Sequence, residues 1–216
     1  MTMTHTPTGP DAPPPRDWRR IALWLVATTQ VYNIVEAGIA LWAAAAASSI
    51  ALLGFGLDSL IETAAAGAML YHLWWETQGR DPEQIEGRER TVHRFVGVTL
   101  LLLALYVVGQ SAWTLWRREA ATESIVGIVL AAASLVIMPV VSWYKLRAAR
   151  AVGSRALAAE AKETLACSYL SFCLLAGLLA NAVAGWWWAD PLAALLMVPW
   201  LAHEGLEGFE EEEEEA

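Results

Sequence analysis

The sequence predicts an all-α polytopic membrane protein of six transmembrane helices with both termini in the cytoplasm. Three observations carry this. The 216 residues are 56% hydrophobic with a mean hydropathy of +0.40, too apolar for an ordinary soluble domain. The apolar residues are gathered into long runs, and a helix needs about 20 such residues to cross a bilayer. Lys and Arg are unevenly shared among the connections between the runs, which sets an orientation. The formal net charge of −9 is inflated by the terminal run Glu210 to Glu215. No basic surface is present, so a nucleic-acid partner is set aside. Cys167 and Cys173 lie six apart on one predicted helix, face different ways and do not suggest a disulfide framework.

Residues 1–17 are rich in Pro, Thr and small residues and read as a disordered arm. Trp18, Arg19 and Arg20 mark an interface, and span 1 runs from Ile21 to about Ala47. Its Ala-Ala-Ser end resembles a signal-peptide cleavage site. The run is far longer than the roughly 7–15 residues of a signal-peptide core, and it contains Asn33 and Glu36. Span 2 covers about Ser48 to Leu73 and closes at His72, Trp74 and Trp75. Residues 77–93 are polar and charged and read as a loop. Span 3 covers Phe95 to Trp116 and ends at Arg117 and Arg118. Span 4 covers Glu123 to Tyr144, with Pro139 inside it. Lys145, Arg147, Arg150 and Arg155 read as the next loop. Span 5 covers Leu157 to Val183. Trp186 to Trp188 form an aromatic belt, and Asp190-Pro191 reads as an N-cap with Pro at the first turn of span 6. Span 6 ends a little beyond His203. Residues 207–216 read as an acidic disordered tail. A weak cation trap is the lesser alternative for that tail. The N-terminal stretch through Arg20, the 77–94 loop and the 145–155 loop hold three, four and four basic residues. The opposite side holds Arg117 and Arg118 only, hence cytoplasmic termini and an inner-membrane location.

The chemistry centres on Asp58 and Glu62. Four residues apart, they stack one turn above the other on one face of span 2. An ionised carboxylate at mid-membrane costs roughly 2.5–3.5 kcal/mol on insertion scales, so such a pair points to function by default. Span 5 holds Glu160, Lys162, Glu163 and Cys167, and Glu163 and Cys167 again share a face. Antiparallel packing of spans 2 and 5 sets Glu62 near Glu163 and Asp58 near Cys167. Counted from the cytoplasmic ends, Glu62 and Cys167 lie roughly 16 and 15 Å deep, and Glu163 roughly 9 Å. Levelling Glu163 with Glu62 requires a shift in the span 5 boundary. Three carboxylates and a thiol form a mixed ligand set that Zn²⁺ accepts. The alternatives are a structural acid pair and, for Cys167, a small packing residue. Asn33, Glu36 and Glu160 are outer candidates. Cys173 reads as packing, His72 and His203 as interface anchors, and Gly54 and Gly56 as sites of close helix approach.

The segments SSIALLGFGLDSLIE and AAEAKETLACSYLS resemble spans 2 and 5 of the cation diffusion facilitator (cation efflux) transporters. The resemblance covers roughly residues 20–205. It implies six spans, exchange of Zn²⁺ or a similar dication for protons, no required cofactor and a possible homodimer. It places Asp58, Glu62, Glu163 and Cys167 where that family carries its transport ligands. Glu62 stands for the usual Asp, and Glu163 and Cys167 for the usual His and Asp. Glu160 matches an acid that precedes that His by three. The family's cytoplasmic C-terminal domain and His-rich loop have no counterpart in these residues. The thiol leans toward softer ions such as Cd²⁺, and the carboxylates toward harder ones such as Mn²⁺. A metal- or proton-binding membrane protein that does not transport, a sensor or partner subunit, is the alternative. An enzyme is disfavoured, since no Ser-His-Asp set or HExxH motif lies in a span.

Overall fold

A computed structural model of the chain describes residues 18–76 and 82–214. The expected disordered arm, residues 1–17, lies outside them. Among the described residues the protein is all helix: α1 (Trp18–Ala47), α2 (Ile50–Glu76), α3 (Pro82–Arg117), α4 (Ile125–Val152), α5 (Arg155–Ala184) and α6 (Ala189–Glu214). The segments Arg94–Arg117, Ile125–Val152 and Glu160–Ala184 are each long and apolar enough to cross a membrane on their own.

The surface confirms the solvent. Leu23, Trp24, Val31, Leu105, Val136 and Val183 stand exposed, while Asn33, Glu36, Asp58, Lys145, Asn181 and Asp190 are buried. An apolar exterior around a polar interior is the inverse of a water-soluble bundle and fits a lipid surround. The chain is a multi-pass membrane protein.

The helix ends follow from local chemistry. Ser124 caps α4, its hydroxyl accepting from Gly127 N–H at 3.1 Å. Gly153 ends α4 in the left-handed conformation at φ 70°, which costs glycine nothing. Ser154 then caps α5 through Leu157 N–H at 3.2 Å. The α4–α5 connection is therefore only two residues long. Lys145, Arg147 and Arg150 belong to α4, not to a loop.

The region 82–93, expected as loop, is the first part of α3. Pro82 stands at the first helical position, where its missing N–H costs no hydrogen bond. The Glu, Gln and Arg residues that follow are good helix formers. Polarity alone does not separate a loop from a helix that projects out of the membrane. By the same logic α6 continues through Glu214, past residue 207 where a disordered tail is expected.

The helices pack in the order α1–α2–α3–α6–α5–α4, with α4 closing back on α1. α2 touches α5 and α6 as well, so it is the inner helix. Phe55 and Leu52 of α2 bury fully with Leu170 and Leu174 of α5 and Met197 of α6. Small residues allow the close approaches. A Cβ on Gly56 would meet Ala40 Cβ of α1 at 3.0 Å, and one on Gly177 would meet Ala193 Cβ of α6 at 2.4 Å.

Asp190 corrects its expected role. It lies in the first turn of α6 but caps α2. One carboxylate oxygen accepts from the Ser49 hydroxyl and the other from Ile50 N–H at 2.8 Å. An acid at a helix N-terminus satisfies open N–H groups and the helix dipole. This contact ties the start of α2 to the start of α6.

Two stability outcomes follow. Asp190→Ala strands the Ser49 hydroxyl and Ile50 N–H and should cost about 1–3 kcal/mol per stranded group. Gly177→Val should cost about 1–3 kcal/mol by overpacking α5 against α6. Both are read as lowered melting temperatures of the purified protein in detergent, against Leu179→Ala as an exposed control.

Candidate cation site

Asp58 lies on the inner helix, 2% exposed, with Oδ2 lacking any hydrogen-bond partner. Glu62, one turn further along α2, is half-buried. Cys167 of α5 is 1% exposed and carries a free thiol. Glu163, one turn before Cys167, is exposed. Counted from the helix ends, Glu62 lies roughly 21 Å inside α2 and Glu163 roughly 12 Å inside α5. The two carboxylates interact across the α2–α5 contact.

The four residues still share one electrostatic neighbourhood. The carboxylates of Glu204 and Glu163 act on Asp58. Glu62 interacts with Asp58, Glu163, Glu204 and Glu36. The Cys167 thiol interacts first with Glu62, then with Glu36 and Asp58. The expected pairing of Cys167 with Asp58 is thus only one part of its surroundings. Among the described residues no three His, Cys, Asp or Glu side chains converge as ready metal ligands. The arrangement gathers negative groups without closing them around one point. Carboxylates so gathered in a poorly solvated interior repel one another, and they become compatible when protons or a cation are shared among them.

The outer candidates separate into two kinds. Glu36 is 1% exposed, and its Oε1 accepts from the Ser134 hydroxyl of α4. Tyr32 OH lies 2.7 Å from the same hydroxyl. Glu36 Oε2 and Asn33 Oδ1 are buried without partners. Glu160 belongs elsewhere. It accepts from Lys145 Nζ at 3.0 Å, and Lys145 also donates to Thr164 Oγ1 at 3.0 Å. Lys145 is fully buried between α4 and α5, and this pair takes two of its three N–H donors. Cys173 packs in the core, and exposed His203 pairs with Glu207 at 3.4 Å.

Sequence reasoning missed Glu204, which α6 brings toward the acid pair of α2. Its signal was faint: one acid at the end of an apolar run, beside a histidine that marks an interface. The roles of Ser134 and Lys145 depend on the α1–α4 and α4–α5 packing, which spacing within one helix does not reveal.

A helical bundle with an apolar exterior and buried acids defines a polytopic membrane protein. The profile of the cation efflux transmembrane domain matches residues 27–211. The chain belongs to the cation efflux family. It is also similar to an uncharacterized transporter of Synechocystis sp. (strain PCC 6803), at 27% identity over 161 residues. The match covers 73% of this chain and 52% of that protein, so the chain spans about half the length of that relative.

The Lys145–Glu160 pair yields an asymmetric outcome. Glu160→Ala leaves a buried ammonium with only Thr164 and should cost about 3–5 kcal/mol. Lys145→Met leaves a partly exposed carboxylate that water can reach, and should cost about 1 kcal/mol. Thermal unfolding of the two single variants and the double variant checks the order.

Proposed function

We propose that the protein is a secondary transporter of divalent metal cations, Zn²⁺ or a similar ion, working as an efflux system by proton antiport. Residues 18–206 form the transport domain. Asp58 and Glu62 of α2 and Glu163 and Cys167 of α5 are its ligands. Both termini face the cytoplasm, the membrane is the inner cell membrane, and the unit is a homodimer. Family membership and the likeness to a transporter support the general class.

The observation that carries the mechanism is Asp58: a buried carboxylate with an unpartnered oxygen, set among Glu62, Glu163 and Glu204. A cation entering this neighbourhood finds oxygen donors whose mutual repulsion it relieves. Cation binding requires the carboxylates and thiol to give up protons, which couples the two ions. The open arrangement of the ligands suits exchange, since the site must release its cargo to either face in turn. The exposed Glu163 is the donor that joins or leaves as α5 moves against α2.

Flux into proteoliposomes with an imposed pH gradient tests this reading. Zn²⁺, Cd²⁺ and Mn²⁺ are each followed with a trapped indicator. Saturable, gradient-driven flux should appear for at least one ion and fall to the empty-liposome background in Asp58→Asn. Metal held at equilibrium without flux for any ion would replace transport with binding or sensing. The absence of both would make the acid pair structural or proton-handling alone.

A further inference from the structure

α1 carries an acid whose bonding is half complete. Asn33 and Glu36 lie three apart and share a helical face, and both are buried in a helix that packs on α2 and α4. Ser134 of α4 holds Glu36 Oε1, and Tyr32, bonded to the same hydroxyl, also interacts with the carboxylate. Oε2 has no partner, and neither has Asn33 Oδ1. Asp190, an equally buried acid with a structural task, uses both of its oxygens. An unpaired buried acceptor is costly to keep. The carboxylate is nonetheless set in negative company, acting on Glu62 and on the Cys167 thiol and sharing an electrostatic interaction with Asp58.

We propose that Glu36 is a further cation-binding residue, an oxygen donor that α1 adds to the acid-rich interior around Asp58. This rests on the reading of Asp58 as a ligand. Ser134 and Tyr32 fix the Glu36 carboxylate so that Oε2 stays available, and Asn33 Oδ1 is a neutral oxygen on the same face. The ligand class is a divalent cation bound by carboxylate oxygen beside sulfur. The added oxygen raises affinity for hard ions such as Mn²⁺ more than for soft ions such as Cd²⁺. It also joins α1, and through Ser134 α4, to the occupancy of a site otherwise built from α2 and α5.

The test is equilibrium binding of Mn²⁺ and of Cd²⁺ to the purified full chain in detergent, followed by titration calorimetry. Glu36→Gln should weaken Mn²⁺ at least about 10-fold and Cd²⁺ by less. Unchanged Mn²⁺ affinity in a monodisperse Glu36→Gln protein overturns the inference. A second measurement needs no variant. The parent protein is labelled with a hydrophobic carbodiimide, with and without saturating Mn²⁺, and modified carboxyls are located by mass spectrometry. Mn²⁺ should shield Glu36 and Asp58 together. Shielding of Asp58 with Glu36 still labelled overturns the role of Glu36 and leaves Asp58 as a ligand. Shielding of neither overturns both.

Discussion

The cost of holding charge away from water shapes this bundle more than any apolar contact does. Asp58 is 2% exposed on the inner helix, with an unpartnered oxygen. α2 keeps it there because other helices fix the position of α2. Asp190 of α6 closes the α2 N-terminus. The missing side chain of Gly56 lets α2 pack closely against Ala40 of α1. Phe55, beside Gly56, buries completely in the core. Apolar packing thereby holds an acid pair where the membrane alone would reject it.

Buried polar groups in the protein divide by whether their bonds are complete. Asp190 spends both oxygens on α2. Lys145 has Glu160 and Thr164. Asn181 Nδ2 donates to Ala121 O at 2.9 Å and ties α5 to the α3–α4 connection. These are cross-braces, and a satisfied polar contact is a sound joint in a low-dielectric interior. Among the described residues, Asp58 and Glu36 are the buried acids that keep an oxygen without a partner, beside neutral groups such as Asn33, Ser59, Ser111 and Ser168. Burial does not distinguish a brace from a binding group, whereas incomplete bonding among like charges does.

Much of the fold was legible in the sequence because the apolar runs are long and their ends carry Trp, Arg, Gly or Ser. All six helices fall on the expected spans. Two polar stretches misled in the same way: 82–93 and the acidic run after residue 207 are continuous with the apolar parts of α3 and α6. The acid pair on α2 was legible because its i, i+4 spacing is local. What its neighbours are was not. Glu204 arrives from α6, and Glu36 arrives with Ser134 from α4. Glu160 turns away to Lys145, a residue that composition places in a loop. Each depends on which helices touch, and that is a tertiary property.

The central claim is that the interior acids and thiol bind a cation together, and X-ray absorption at the zinc edge of the Zn²⁺-loaded protein tests it most directly. The account predicts oxygen scatterers at about 2.0–2.2 Å and one sulfur at about 2.3 Å. It also predicts that the sulfur is lost in Cys167→Ser and the whole site in Asp58→Asn. A zinc shell without sulfur that survives in Asp58→Asn would contradict it, because the bound metal would then lie outside the acid-rich interior between α2 and α5.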